Sequence, residues 1–288
     1  MTVSDVPDVE TPSGKDAAYE NFPVGSWLLP RALRPHIACY YRFARAIDDI
    51  ADNPQLTPEI KIARLDGFEK AILGDDTASP AFVTAHRMRE SLKETQVSNR
   101  HCLDLITAFK QDSVKNRYRN WDELVDYCLL SAAPVGRYLI DLHGGSDAGY
   151  GPSDALCIVL QIINHLQDCK EDFEQMDRVY IPMDWMNGHG VTAQALAAPC
   201  LSKPGRLLLD QVISATAELM PQARTLPAGL RSRRLAMESQ AIINIAERLI
   251  DRLRTDDPLA TRVQLPKTIY LWCCLLGVTS GLGFRASR

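Results

Sequence analysis

The stretch SDALCIVLQIINHLQDCKEDFE, residues 153–174, decides the fold class. Its apolar residues recur three and four positions apart, which is the period of a helix with a buried face, and they show no strand-like alternation. The same period recurs along the chain. We therefore predict an all-α protein, with helices over residues 30–52, 58–73, 80–95, 100–115, 121–142, 153–174, 204–223, 230–254 and 267–276. Prolines 30, 58, 80 and 204 fall at predicted helix starts, where the missing N–H costs little, and Ser153 is the predicted cap of its helix.

The composition is that of a folded, mildly acidic chain. Of the 288 residues, 46% are hydrophobic and 24% are charged, and the formal net charge is −4. Without a basic excess to neutralise phosphates, nucleic acid is not an expected partner. No Ser/Gly- or Pro-rich linker interrupts the sequence, so we predict a flexible tail over residues 1–19 and one all-α domain over residues 20–288. The acidic start lacks a signal-peptide pattern, which favours a cytoplasmic location.

Eight cysteines are spread along the chain without the CxxC pairs of a zinc site. Most stand in apolar, helix-like stretches, where a free cysteine behaves as a small hydrophobic residue. We predict reduced, buried thiols. The cysteines are Cys39, Cys102, Cys128, Cys157, Cys169, Cys200, Cys273 and Cys274.

One apolar stretch, residues 268–284, resembles a short membrane span. Its length of about 17 residues is less than the roughly 20 apolar residues that a helix needs to cross a bilayer, and Thr279, Ser280 and three glycines interrupt it. A core helix is the preferred interpretation. Shallow contact with a membrane surface, and thus a peripheral location, is the alternative.

Several common catalytic motifs are missing from the sequence. It has no GxGxxG, no GxxxxGK[ST], no HExxH and no GxSxG, so nicotinamide, P-loop and common hydrolase chemistries lack support. A di-metal carboxylate bundle would need Glu-x-x-His pairs on inward faces, and the sequence has none. His165 is therefore interpreted as a packing residue or one that supports the site indirectly.

Two clusters of acidic residues stand 120 positions apart. The segment FARAIDDIADN contains Asp48, Asp49 and Asp52, and the segment QIINHLQDCKEDFEQ contains Asp168, Glu171 and Asp172. Residues four apart share a helix face, so each cluster presents one carboxylate pair, while Asp49 and Glu171 are expected to point away. Either pair alone is consistent with a solvated acidic face.

The apolar surroundings of both pairs favour a function. Gln161, Asn164, Asp168 and Asp172 form one stripe on an otherwise apolar helix, and buried polar groups need partners. Magnesium supplies such partners, because it binds oxygen ligands and is held by one or two carboxylates together with substrate phosphates. Two facing pairs would clamp a metal-bound diphosphate. Arg45, one turn before Asp48, either contacts the phosphate or forms an intrahelical ion pair.

These residues resemble the squalene and phytoene synthase family of head-to-head prenyl-diphosphate enzymes. The resemblance runs from ENFPVGSWLLP at Glu20 to the last helix and rests on RAIDDIAD, WDELVDYCLLSAAPVGR, QIINHLQDCKED and RVYIP. The ENFPV start, the SAAPVGR segment and Gln167 are most similar to the hydroxysqualene synthases of hopanoid biosynthesis.

The resemblance implies an isoprenoid-synthase helical fold with a central apolar cavity between two aspartate-bearing helices. It implies two or three Mg2+ ions that bridge the diphosphate. NADPH is not expected, because the sequence shows no site for a reductant and a reaction that ends with water needs none. The implied metal ligands are Asp48, Asp52, Asn164, Asp168 and Asp172. The implied catalytic residues are Tyr127, which steers the carbocation, and Arg45, which contacts the diphosphate. The substrate-binding residues are predicted to be Asn21, Phe22, Tyr41, Arg45, Gln161, Asn164 and Arg178, and Tyr40 and Phe43 are further aromatic candidates for the cavity wall.

The sequence departs from the family pattern at two positions. Gln167 stands where many relatives have arginine, which removes a positive donor beside the diphosphate. Asp177 precedes Arg178 where glycine is usual, and it adds negative charge next to that arginine. The first change favours an enzyme that ionises one preformed C30 diphosphate over one that joins two prenyl diphosphates.

The predicted activity is therefore the magnesium-dependent conversion of presqualene diphosphate to hydroxysqualene, a carbon–oxygen lyase type of reaction with water capture. Its substrate would be handed over by a presqualene diphosphate synthase. A first alternative is a prenyltransferase, namely a presqualene diphosphate, squalene or phytoene synthase acting on farnesyl or geranylgeranyl diphosphate. A second is a non-catalytic helical assembly factor of the same fold, which should have lost an aspartate pair.

Overall fold

The computed structural model describes residues 9–10 and 28–280. Over these ranges the regular structure is helical, and no β-strand is present beyond one isolated bridge between Arg117 and Val179. The predicted all-α class is confirmed. The chain divides into two compact units, Met1–Lys115 (unit 1) and Asn116–Arg288 (unit 2). The single domain predicted over residues 20–288 stays a prediction, because compactness alone does not show which parts fold independently.

Among its described residues, unit 1 contains four α-helices. Proline occupies the first turn of α1 and of α2, where its missing N–H would have no helical partner. α1 packs against the other three helices, and the aromatic rings of Phe43 and Phe68, 6.1 Å apart, lie between α1 and α2 in the core. The helices are α1 (Arg34–Ala51), α2 (Pro58–Leu73), α3 (Val83–Thr95) and α4 (Arg100–Asp112), with a 3-10 turn over Pro80–Phe82 before α3.

Unit 2 contains ten α-helices within its described residues. α7 is central, since it packs on α5, α6, α10, α11 and α13, and most of its side chains are buried. The helices are α5 (Trp121–Ser131), α6 (Ala133–Leu142), α7 (Tyr150–Gln167), α8 (Cys169–Met176), α9 (Met183–Gly188), α10 (Lys203–Ala217), α11 (Met220–Ala223), α12 (Leu226–Gly229), α13 (Arg233–Thr255) and α14 (Lys267–Ser280).

Two glycines permit close helix packing in unit 2. A Cβ atom on Gly136 of α6 would lie 2.2 Å from Ser153 Oγ and 2.8 Å from Cys157 Sγ of α7. A Cβ atom on Gly277 of α14 would lie 2.6 Å from the backbone nitrogen of Ala241 on α13. Real side chains do not approach so closely, so glycine lets each pair of helices touch.

The structure corrects several predicted helix limits. α1 begins at Arg34 rather than Pro30, because residues 30–33 form a turn in which Leu33 N–H donates to Pro30 O (3.0 Å). The predicted helix over 121–142 is two helices that separate at Ala132 (φ −123°, ψ −45°), so Pro134 lies in the first turn of α6. Similarly, the helix predicted over 153–174 begins at Tyr150 and breaks at Asp168 (φ −107°, ψ 7°).

The cap predicted at Ser153 is therefore wrong: Ser153 is buried inside α7. The helix predicted over 204–223 divides into α10 and α11. The short helices α9 and α12, of 6 and 4 residues, have too few turns to show a period.

All eight cysteines are free thiols, as predicted. Five are buried, two are half-buried, and Cys200 is exposed, which corrects the expectation for that residue. In the part of the chain that the structure describes, no helix combines the length and the apolar character needed to cross a bilayer.

Candidate active site

The C-terminal half of α1 carries the acidic cluster of unit 1. Arg45 Nη1 binds Asp48 Oδ2 at 2.6 Å, and Nη2 of the same guanidinium binds Asp49 Oδ1 at 2.8 Å. The intrahelical ion pair considered for Arg45 is therefore present. Asp49 was expected to point away, but its side chain is only 10% exposed and shares this arginine. Arg45 thus fixes two adjacent carboxylates at once.

Asp48 lies in a strongly acidic environment. Desolvation by the surrounding protein raises its pKa well above the usual range for aspartate, and the carboxylates of Asp52, Asp49 and Asp112 raise it further, against the lowering effect of Arg45. Asp112 is the last residue of α4 and is buried. Ionisation of Asp48 is consequently unfavourable even with Arg45 beside it, and a further cation would relieve it.

The acidic pair of unit 2 lies at the junction of α7 and α8. Asp168 is the residue between the two helices, and Asp172 is in the first turn of α8. The Asp172 N–H donates to Asp168 O (2.8 Å), so the helical spacing of the pair survives the break. Both side chains are partly exposed, whereas Glu171 is exposed and accepts from Gln175, as expected for a residue that points away.

Arg262 binds the Asp168 carboxylate with both oxygens engaged. Its Nε lies 2.7 Å from Oδ1, and its Nη2 lies 3.0 Å from Oδ2. Beside this pair, the buried Gln167 amide donates to the carbonyl of Val263. The sequence lacks a positive charge at position 167. Arg262, in the segment before α14, supplies one at the neighbouring position, where it is paired with Asp168.

Four rings form a buried cluster between the segment before α5, α5 itself, α7 and the segment after α8 (the ring cluster: Tyr118, Tyr127, His165 and Tyr180). His165 stacks on Tyr180 with ring centroids 3.5 Å apart and an interplanar angle of 11°. Tyr127 lies 5.1 Å from Tyr118 and 5.6 Å from Tyr180, centroid to centroid. Gln161 Nε2 donates to His165 Nε2 at 3.1 Å. Of the predicted site residues, Tyr127 thus belongs to the ring cluster and Gln161 is hydrogen-bonded to it.

His165 is held in its neutral form. Burial lowers the pKa of its imidazole to about 3, and the nearby Arg178 guanidinium contributes in the same direction. Arg178 is itself buried, with 5% of its surface exposed. The interpretation of His165 as a packing residue is consistent with its stacking on Tyr180.

Asp177 stands where the family resemblance leads us to expect glycine, and its backbone shows why glycine suits this position. Its φ of 52° lies in the left-handed region, which glycine adopts without strain and aspartate tolerates better than most residues. The Asp177 carboxylate and carbonyl both accept from Arg117. The negative charge that was expected to act on Arg178 is therefore paired with a different arginine.

The remaining predicted residues are placed as follows. Tyr41 is half-buried on α1 and Asn164 is half-buried on α7, whereas Tyr40 and Phe43 are buried in unit 1. Asn21 and Phe22 lie outside the described residues, as does most of the predicted tail over 1–19. Within unit 1 the structure brings together Arg45, Asp48 and Asp52; within unit 2 it brings together Asp168 with Asp172 and, separately, Tyr127 with Gln161.

Sequence reasoning missed Asp112, Arg262, Tyr118 and Tyr180 as members of these clusters. Tyr180 stands in the segment RVYIP and could have been found there. Arg262 gives no such signal, because its contact with Asp168 spans 94 positions and no local pattern encodes it.

The donor set fits magnesium. Both acidic pairs offer carboxylate oxygens, and proteins usually complete a magnesium site with substrate phosphates and water. Within residues 9–10 and 28–280, no three His, Cys, Asp or Glu side chains gather as a self-sufficient metal centre. The acidic pair of unit 1 has two carboxylates, and the pKa of Asp48 is raised. Such a pair matches a metal site that the substrate completes.

The sequence matches one family model and individual relatives, and these matches agree with one another. The family model described as "Squalene/phytoene synthase" matches residues 16–268, so most of α14 lies beyond it. A hydroxysqualene synthase from Rhodopseudomonas palustris is 41% identical over 256 residues, which is 89% of this chain and 87% of that protein. Another from Sinorhizobium fredii is 39% identical over 246 residues, covering 85% and 83% of the two chains.

A solved structure extends the similarity to the fold. The squalene synthase of Alicyclobacillus acidocaldarius superposes with a TM-score of 0.71 at 28% identity, covering 80% of this chain and 86% of that chain. The helical architecture predicted from the sequence is therefore that of a solved squalene synthase.

Proposed function

The chain belongs to the squalene and phytoene synthase family, and from this premise we propose that it converts presqualene diphosphate and water into hydroxysqualene and inorganic diphosphate. The observation that carries this proposal is the identity to hydroxysqualene synthases along most of the chain. In the proposed reaction the carbon–oxygen bond to diphosphate breaks, the cation rearranges, and water adds and loses a proton.

The acidic pairs would hold the diphosphate through magnesium. Bound Mg2+ would neutralise the negative charge that develops on the leaving diphosphate. The proposed metal ligands are Asp48, Asp52, Asn164, Asp168 and Asp172. The crowding of carboxylates around Asp48 supports this role, because a cation relieves their repulsion.

Arg45 would have two tasks in this proposal. Its guanidinium already orients Asp48 and Asp49 through two separate nitrogens. A guanidinium carries five N–H donors in a planar fork, so one such group can serve an ion pair and a phosphate contact together. The ion pair and the phosphate contact are therefore compatible roles rather than alternatives.

The ring cluster would face the carbocation. Aromatic faces attract cations by about 0.5 to 2 kcal/mol each, most strongly where water is excluded. Tyr127 is 2% exposed and has two other tyrosines near it, so this part of unit 2 supplies ring faces in a water-poor setting. It would delay water capture until rearrangement is complete.

A substrate test separates the proposal from a prenyltransferase. The purified protein is incubated with Mg2+ and presqualene diphosphate, and separately with farnesyl diphosphate, each with and without NADPH, and the lipid product is identified. We expect hydroxysqualene from presqualene diphosphate without NADPH. Product from farnesyl diphosphate alone would contradict the proposal and indicate a synthase that joins two prenyl chains. No turnover of either substrate would favour the assembly factor.

A further inference from the structure

The outward side of α14 is an apolar surface formed by Leu271, Trp272, Leu275 and Leu276 (the α14 outer face). These side chains are 61%, 57%, 58% and 38% exposed, respectively. They recur one and four positions apart, so they share one side of the helix. The opposite side is fixed to α13, where Cys273 and Gly277 are buried and the Gly277 backbone touches Ala241. Packing on α13 thus holds the outer face away from the core.

This surface is unusual for the molecule. Nine large hydrophobic side chains are exposed among the described residues, and four of them stand within six consecutive positions of α14. The other five, Ile60, Leu73, Val83, Val114 and Leu207, are distributed singly over other elements. Single exposed apolar residues are ordinary, whereas a contiguous patch marks an interaction surface.

Charge indicates what this surface binds. From Leu259 to Arg288 the sequence contains Arg262, Lys267, Arg285 and Arg288 and no acidic residue. Arg262 is paired with Asp168, and the three other basic residues still give this segment the opposite sign to the chain, whose net charge is −4. An apolar face within a basic segment complements an anionic lipid surface, where apolar side chains enter the acyl boundary and basic ones meet the headgroups.

We propose that the α14 outer face binds peripherally to the surface of an anionic lipid bilayer. At 14 residues the helix is about 21 Å long, which is shorter than the roughly 30 Å hydrocarbon core. It therefore lies along the interface instead of crossing it. Trp272, with an apolar ring and a polar N–H, suits the boundary between acyl chains and headgroups. This surface lies mostly beyond the family match and is independent of the proposed reaction.

Flotation with lipid vesicles tests the proposal without any substrate. The full-length protein is mixed with vesicles of phosphatidylcholine alone or of phosphatidylcholine with about one third phosphatidylglycerol, the excess lipid charge being the attractive term. We expect wild-type protein to float with the anionic vesicles, and the triple variant Leu271→Gln, Trp272→Gln, Leu275→Gln to lose at least tenfold in partitioning. Lys267→Gln should weaken binding to the anionic vesicles alone.

The control is Leu207→Gln, which removes a leucine of similar exposure (60%) from α10. It should bind as the wild type does. Circular dichroism should show the same melting for all variants, because the replaced side chains are exposed. Absence of wild-type flotation, or equal flotation of the triple variant, would overturn the proposal. A concentration-dependent dimer that the triple variant abolishes, without vesicle binding, would overturn it in favour of a second copy of the chain.

Discussion

Arg262 engages both oxygens of the Asp168 carboxylate, and this has a consequence for catalysis. A carboxylate that is held by two parallel N–H donors has a fixed orientation, which would aim Asp168 at a metal ion in the proposed site. Both side chains are about one third exposed, so the pair should contribute little to stability. Its importance would lie in positioning Asp168.

We expect Arg262→Ala to lower kcat/KM at least tenfold while changing the free energy of unfolding by less than about 1 kcal/mol, as for exposed ion pairs. Steady-state kinetics with presqualene diphosphate and urea unfolding measure the two quantities. Arg254→Ala is the matched control, because it removes an exposed arginine from a similar pair with Asp251. A large loss of stability with unchanged kinetics would show that Arg262 is structural instead.

Glu238 is a buried acid on α13, 5% exposed, and its Oε2 has no hydrogen-bond partner in the described part of the chain. Burial raises the pKa of this carboxyl to about 8. The folded protein therefore binds one more proton than the unfolded chain between about pH 4.5 and pH 8, so stability falls as pH rises through this range.

We expect Glu238→Gln to remove this fall, because glutamine does not titrate. At pH 8 the variant should be more stable than the wild type by about 2 to 4 kcal/mol, since each unit of pKa shift corresponds to about 1.4 kcal/mol. Urea unfolding at pH 5 and pH 8 gives the difference. Glu247→Gln, on the surface of the same helix in a pair with Arg224, should keep the wild-type pH dependence; parallel curves for Glu238→Gln and wild type would refute the prediction.

At this scale the sequence predicts residue types and spacing but not distant partners. Arg45 and Asp48 are three positions apart, so helical geometry alone made their ion pair one of the two roles considered for Arg45. Asp112 and Arg262 approach the acidic pairs only through packing of other elements. The left-handed conformation at Asp177 is likewise invisible in a sequence that has no glycine there.

At the scale of the elements, the close contact of α6 with α7 depends on a glycine, Gly136, which has no side chain. We expect Gly136→Ala to destabilise the protein by about 1 to 3 kcal/mol, as overpacking does, because its Cβ would overlap Ser153 Oγ and Cys157 Sγ. Thermal or urea unfolding measures the loss. Gly229→Ala, with no atom within 4 Å of the added carbon, is the control.

A second measurement checks the cause. Adding Ser153→Ala and Cys157→Ala removes both obstructing atoms, so the triple variant should lose less stability than the single changes added together. Simple additivity would contradict this account of the glycine.

Helix existence followed from periodicity, and α2 has the predicted limits, residues 58–73. The predicted helix limits were wrong where a long helical pattern contains a break. Pro134 is a signal for the break at Ala132, but nothing in the pattern around Asp168 distinguishes a junction from a continuous helix. There the chain keeps the i to i+4 hydrogen bond between the two aspartates although the backbone of Asp168 leaves helical geometry.

For the whole molecule, each compact unit carries one acidic pair. If both act on one diphosphate, loss of either should be as damaging as loss of both. We expect Asp48→Ala and Asp168→Ala each to abolish diphosphate release, while circular dichroism shows unchanged helical content. Asp251→Ala, an exposed residue of α13, is the control. Turnover close to the wild-type rate in either variant would refute joint action of the two pairs.

Because Cys200 is exposed, a thiol reagent should react selectively with this residue of the folded chain. Burial raises the pKa of the Cys157 and Cys169 thiols to about 12, and it also raises that of Cys102, which suppresses the reactive thiolate. A maleimide fluorophore at neutral pH should therefore label Cys200 first, and Cys200→Ser should abolish the fast phase seen by mass spectrometry. Fast labelling at a buried cysteine would contradict this expectation. One native side chain thus offers an attachment point for a reporter, without any engineered cysteine.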